Sequence, residues 1–149
     1  MKYLEDFQPG QVFRFRSDPM SSDEIMAFAQ KWDPQRIHLD EEYAATIHGG
    51  LIASGFQTML MVFKPIMVEL MSDVANIGGI GFDKLRWLRP VRPGEALDVE
   101  IEINSVTPSR SKPDRGVLNY SLRAMNPHGE VVFVTDTPVM IKRKADDTD

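Results

Sequence analysis

From Leu51 to about Met71 this chain is apolar in every direction a helix could present. Leu51, Ile52, Phe56, Met59, Leu60, Met61, Val62, Phe63, Ile66, Met67 and Leu70 leave no continuous polar face. Such a helix is stable in water only when other elements enclose it. The pattern predicts a buried central helix over 51–71, opened by Gly49-Gly50 and kinked or ended by Pro65. Thr46, His48, Ser54, Gln57 and Thr58 make the uncharged run 43–63 too polar for a membrane span.

The flanking sequence supplies the enclosure. After Gly78-Gly79 the apolar period drops to two, and 80–88 reads as a strand ended by Pro90 and Pro93-Gly94. Leu97, Val99, Ile101 and Ile103 alternate with Asp98, Glu100, Glu102 and Asn104, a half-solvated strand. Residues 118–124 alternate likewise, 126–129 make a turn, and 131–141 supply the last strand. Near the start, 12–16 alternate after Pro9-Gly10. Ser21 and Glu24 form a capping-box signature for a helix through Ile25, Phe28, Ala29 and Trp32, stopped by Pro34. Residues 33–38 read as a loop, and 40–45 as a short helix with an acidic first turn. Together these elements predict an α+β fold, an antiparallel sheet wrapped around the long central helix. Residues 1–142 are expected to form a single domain and 143–149 a solvated tail.

Composition narrows the chemistry. A chain of 149 residues buries roughly 70% of its unfolded surface, enough for one core without staples. It has no cysteine, which excludes disulfides, thiolate zinc sites, cysteine nucleophiles and iron–sulfur clusters. No ligand cluster for a metal is legible. The formal charge of −5 disfavours a nucleic-acid partner. Residues 1–10, with Glu5 and Asp6, lack the apolar run of a secretory signal. The expectation is a soluble, cytoplasmic protein with no membrane partner.

Three histidines are present. His128, between Pro127 and Gly129, reads as a surface turn residue. His38 lies five residues after Asp33, in a segment able to turn both side chains toward one point. Gly49 and Gly50 follow at the expected helix start, where amides lack intrahelical partners and glycine admits close approach of a ligand. Asp33, His38 and Gly49 can therefore supply an acid/base pair and an oxyanion donor. The alternative is that the glycines only permit tight helix–sheet packing.

The segment Asp33-Pro34-Gln35-Arg36-Ile37-His38-Leu39-Asp40, followed by His48-Gly49-Gly50-Leu51-Ile52-Ala53-Ser54-Gly55, resembles the MaoC-like dehydratase family, which includes the (R)-specific enoyl-CoA hydratases. The segment 85–95 is similar to that family's strand and turn. The resemblance covers about residues 3–142 and implies the hot-dog fold. It implies that Asp33 and His38 hold and activate a water, with the Gly49 amide binding a thioester carbonyl. Two positions depart from the motif: Gln35 replaces its asparagine and Arg36 its proline. A serine that orients the pair in the best-known hydratases corresponds to Gln57. His48 and Gly50 flank the expected oxyanion donor, His48 lining the pocket or serving structure alone. Arg86, Arg89 and Arg92 form a basic run suited to coenzyme A phosphates, or a solvated strand face.

The reading that follows is reversible hydration of a 2-enoyl thioester, with coenzyme A as part of the substrate and no other cofactor. A hot-dog thioesterase is disfavoured because 50–68 hold no Asp or Glu. A non-catalytic acyl-CoA-binding module remains the alternative from another class. The resemblance and the exposed sheet edge together imply a homodimer or a dimer of dimers.

Overall fold

The computed structural model describes residues 1–145. Its strands are β1 (Val12–Arg16), β2 (Asn76–Gly79), β3 (Asp83–Trp87), β4 (Asp98–Pro108), β5 (Arg115–Met125) and β6 (Val131–Lys142). They form one antiparallel sheet in the order β1-β4-β5-β6-β2, with β3 also pairing β6. The helices are α1 (Ser22–Trp32), α2 (Arg36–Leu39), α3 (Glu41–His48) and α4 (Gly55–Glu69). Single 3-10 turns occupy Leu4–Asp6 and Met71–Asp73.

Alternation in β4 to β6 does what the pattern promised. Val99, Ile101, Ile103, Leu118, Tyr120, Leu122, Val139 and Ile141 are buried on one side of the sheet, where they join Val62 and Ile66 of α4 in a single core. Burial pushes the Tyr120 phenol up to about 12, so it stays neutral there. This is the hot-dog arrangement, a sheet wrapped around a central helix. The opposite side of α4 is bare: Phe56, Leu60 and Val68 are exposed, beside Ile80, Phe82, Trp87 and Leu88 near the β2/β3 edge.

Four expectations need correction. The central helix begins at Gly55 rather than at Gly49-Gly50; Leu51–Ser54 are buried and non-helical, with Ala53 N–H donating to Val91 O. Pro65 does not end it; the helix continues to Glu69 with Pro65 buried. The loop expected over 33–38 is half helix. Gln35 stands at the N-cap of α2, while Arg36 pairs with Asp40 at 3.0 Å and lies 4.2 Å from the Tyr43 ring centroid. The strand expected over 80–88 is confined to β3, 83–87, and a further strand, β2, precedes it over 76–79, in the Gly78-Gly79 stretch expected to lie before the strand; the two pair different parts of β6. Of the expected tail, Arg143 reaches Glu5 at 2.8 Å and Lys144 reaches Asp6 at 2.5 Å; 146–149 lie outside the described residues.

Ile66 is fully enclosed at the helix–sheet contact. Ile66→Ala should cost about 2–5 kcal/mol through lost apolar transfer and a residual cavity. Urea denaturation should show a lower midpoint at unchanged slope.

Candidate active site

Pro34 cannot donate a backbone hydrogen bond and disfavours helical geometry at Asp33, so α1 stops there. Asp33 takes φ −152°, ψ 70°, and its N–H still closes the helix on Ala29 O at 2.8 Å. One residue past Pro34 the chain turns into α2, which carries His38 inward until only 4% of it is exposed. A helix end and a one-turn helix thus bring two side chains five residues apart to one point.

The His38 ring is fixed by the backbone. Its Nδ1 lies 2.8 Å from Ile52 O, and a carbonyl can only accept, so Nδ1 carries a proton. In the neutral ring Nε2 is therefore a bare lone pair, and it lies 3.4 Å from Asp33 Oδ2. Asp33 is held at both oxygens: Gln35 Nε2 donates to Oδ1 at 2.7 Å and Ser54 Oγ to Oδ2 at 2.7 Å. The Gln35 amide above all, then the Ser54 hydroxyl, keep the Asp33 carboxyl below the usual carboxylate range, against a desolvation that pushes it up. An ionised carboxylate and a bare imidazole nitrogen are both acceptors. Facing each other at this distance, they suit a molecule with two donors, as water is.

The floor is the non-helical segment Leu51–Ser54. Ala53 N–H donates to Val91 O at 2.9 Å, Ile52 O accepts from His38, and Ser54 reaches Asp33. Ser54 is the N-cap residue of α4, yet its side chain makes no capping bond. The first-turn amides of α4 are left without a side-chain cap, at the positive end of a 15-residue helix. Trp87 closes one wall, its Nε1 donating to Gly55 O at 2.8 Å. The resulting cleft, about 400 Å³, is lined by Asp33, Gln35, His38, His48, Ile52, Gly55, Phe56, Trp87, Leu88 and Arg89 among others.

Of the residues singled out in the sequence, Asp33, His38, His48 and Arg89 meet in this cleft. Arg89 is paired with Glu130 at 2.8 Å. Gly49 is instead the left-handed C-cap of α3, at φ +73°, and its amide bonds Ala45 O at 3.2 Å. That corrects its placement at the central helix start. Gly50 lies outside the lining, with Arg92 Nη1 3.6 Å from the position of a Cβ there. Arg92 itself donates to His48 O and so caps α3. Arg86 is exposed on β3, opposite Val134. Gln57 turns away: its Nε2 donates to Glu24 O at 3.2 Å, and it lines a separate cleft of about 450 Å³ between α1 and α4. The serine contact to Asp33 comes from Ser54 instead. Ser54-Gly55-Phe56-Gln57 is itself a capping-box pattern, a signal that could have marked both the helix start and this serine.

The family model described as a MaoC like domain matches residues 6–124. The chain belongs to the MaoC-like family. It is similar to the MaoC-like dehydratase from Rhodospirillum rubrum, with 34% identity and a TM-score of 0.84, covering 97% of this chain and 99% of that one. The protein YdeM of Bacillus subtilis (strain 168) is 36% identical over 141 residues, 94% of this chain and 99% of YdeM. The R-hydratase PhaJ1 from Pseudomonas aeruginosa, at 23% identity and a TM-score of 0.74 over 99% of this chain and 93% of that one, shares the fold. No helix among the described residues is long and apolar enough to cross a membrane.

In this MaoC-like chain Gly55 is required by its neighbour, since a Cβ would lie 2.6 Å from the Trp87 ring. Gly55→Ala should displace the indole from the cleft wall. In a Trp32→Phe background, the remaining tryptophan should show a shifted emission maximum and altered acrylamide quenching.

Proposed function

We propose that this MaoC-like protein adds water reversibly across the C2–C3 double bond of a 2-enoyl thioester, giving a 3-hydroxyacyl thioester. The observation that carries this reading is the pair of facing acceptors, Asp33 Oδ2 and His38 Nε2, set 3.4 Å apart in one cleft with an uncapped helix N-terminus. In the hydration direction, His38 Nε2 takes one proton of the water while Asp33 accepts a hydrogen bond from the other O–H. The water oxygen bonds to C3, and the C2–C3 electron pair moves toward the thioester oxygen. The first amides of α4, at Gly55 and Phe56, stabilise that enolate-like oxygen in place of the Gly49 amide. His38 then returns its proton to C2, and the atoms balance with no metal or redox cofactor.

The family and the R. rubrum relative support dehydratase chemistry, and the acid/base pair supplies the means. A thioesterase reading lacks a comparable nucleophile or base on α4. Its only carboxylate, Glu69, is exposed at the helix's C-terminal end and outside this cleft. Coenzyme A is the proposed carrier, with Arg89 at the cleft and Arg86 on the neighbouring strand as the cations nearest its phosphates.

Incubation with crotonyl-CoA should deplete the enoyl absorbance without releasing free thiol; thiol release instead would identify a thioesterase, and neither signal would leave the binding module. Asp33→Asn and His38→Gln should each lower kcat by about 10²–10⁴-fold with unchanged circular dichroism. A near wild-type rate in either variant removes that residue from the mechanism.

We also propose that the bare side of α4 and the β2/β3 edge are covered by a second copy of the chain. Phe56, Trp87 and Leu88 line the cleft and are 59%, 46% and 52% exposed, so this apolar surface continues into the site. Light scattering at micromolar concentration should give at least twice 16.9 kDa. A stable, active monomer would sink the shared surface while leaving the Asp33–His38 chemistry intact.

A further inference from the structure

Gln35 stands where the family motif has asparagine, and the structure gives it two bonds to the same residue. Its backbone N–H donates to Asp33 O at 2.8 Å, and its side-chain Nε2 to Asp33 Oδ1 at 2.7 Å. Ser54 holds the other carboxylate oxygen, Oδ2, at 2.7 Å. A carboxylate anchored at one oxygen can still rotate about its Cβ–Cγ bond. Anchored at both oxygens by donors from different elements, it has one orientation, and in that orientation Oδ2 faces His38 Nε2.

We propose that Gln35 is a positioning residue, which fixes the plane of the Asp33 carboxylate so that Oδ2 faces His38. Three observations support the role. Gln35 lines the cleft, yet its side chain is exposed and buries no core surface, so its contact with Asp33 is not a packing accident. The amide donates to the carboxylate and so favours the charged form; it is the largest of the influences that keep Asp33 below the usual carboxylate range. The length of the side chain also matters. Gln35 is the N-cap residue of α2, and its backbone is fixed by the bond to Asp33 O. From that backbone an asparagine amide would fall short by one carbon–carbon bond, about 1.5 Å. This division of labour leaves His38 as the proton carrier and Asp33 as a fixed acceptor, a refinement that rests on the hydration reading only for its effect on turnover.

The sign of the effect follows from the donor. With Gln35 present the charged form of Asp33 is favoured, so removing the amide raises the midpoint at which Asp33 protonates. Gln35→Glu, which sets a like charge beside it, raises it further. The Asp33 carboxyl carbon can be followed by ¹³C NMR against pH in the wild type, Gln35→Ala, Gln35→Asn and Gln35→Glu. The expected result is an upward move in the alanine and asparagine variants, and a larger one in the glutamate variant. On an accepted enoyl thioester kcat should fall about tenfold or more with KM little changed, while the thermal midpoint stays near wild type because Gln35 is exposed. An Asp33 midpoint unmoved in both the alanine and glutamate variants would overturn the proposal. So would a moved midpoint with unchanged kcat. If no enoyl thioester is turned over, the hydration reading has failed, and the NMR titration alone still decides whether Gln35 holds Asp33.

Discussion

The hydrogen bond from His38 Nδ1 to the carbonyl of Ile52 governs the rest of the cleft. A buried carbonyl needs a donor, and a buried imidazole needs its two nitrogens told apart. One contact does both. It puts the proton on Nδ1, leaves Nε2 bare toward Asp33, and ties a one-turn helix to the segment leading into α4. Without it the ring could rotate or exchange tautomers, and the facing acceptors would lose their meaning. Ile52 and Ser54 are two residues apart on a non-helical segment, so one short piece of backbone orients both His38 and Asp33.

That segment must stay out of the helix for the site to exist. In a helix begun at Leu51, Ile52 O would accept from Phe56 N–H, the ordinary bond four residues on. Beginning the helix at Gly55 frees both groups: the carbonyl serves His38, and the amide stays free of an intrahelical partner at the cleft. What holds the segment out of the helix is the Ala53–Val91 backbone bond together with the burial of Leu51, Ile52 and Ala53. Arg92, by capping α3 at His48, fixes the turn that enters it.

These distinctions set the limit of what could be read from sequence. Period two is unambiguous, so β6 was legible nearly to its ends and β4 and β5 in their alternating parts, 98–104 and 118–124, though they extend to Pro108 and back to Arg115; Ser21 with Pro34 bounded α1 closely. A buried non-helical run and a buried helix, however, share one signature of unbroken apolar residues, so Leu51–Ser54 merged with α4. The error carried into the site. With the helix start placed at Gly49, the oxyanion role fell on a glycine that instead ends α3; the family resemblance set Gln57 at the orienting serine's position, whereas the hydroxyl that reaches Asp33 is that of Ser54. Asp33 and His38 were legible because their types and spacing do not depend on where α4 begins. Trp87 was not, since its contact with Gly55 depends on the irregular stretch between β2 and β3, which no local pattern announces.

Ser54 shows how the site and the fold draw on the same atoms. As an N-cap its hydroxyl would accept from the first turn of α4, an interaction worth about 1 kcal/mol. Here it donates to an ionised carboxylate, and hydrogen bonds to charged groups contribute about 1.5–3 kcal/mol. The exchange therefore need not weaken the protein, because the stronger bond replaces the weaker. Its other consequence is electrostatic. The helix amides that a cap would have satisfied keep their partial positive charge, and they keep it on the wall of the cleft that holds Asp33 and His38. One hydroxyl, turned toward the loop instead of the helix, both steadies the carboxylate and leaves backbone donors free at the cleft wall.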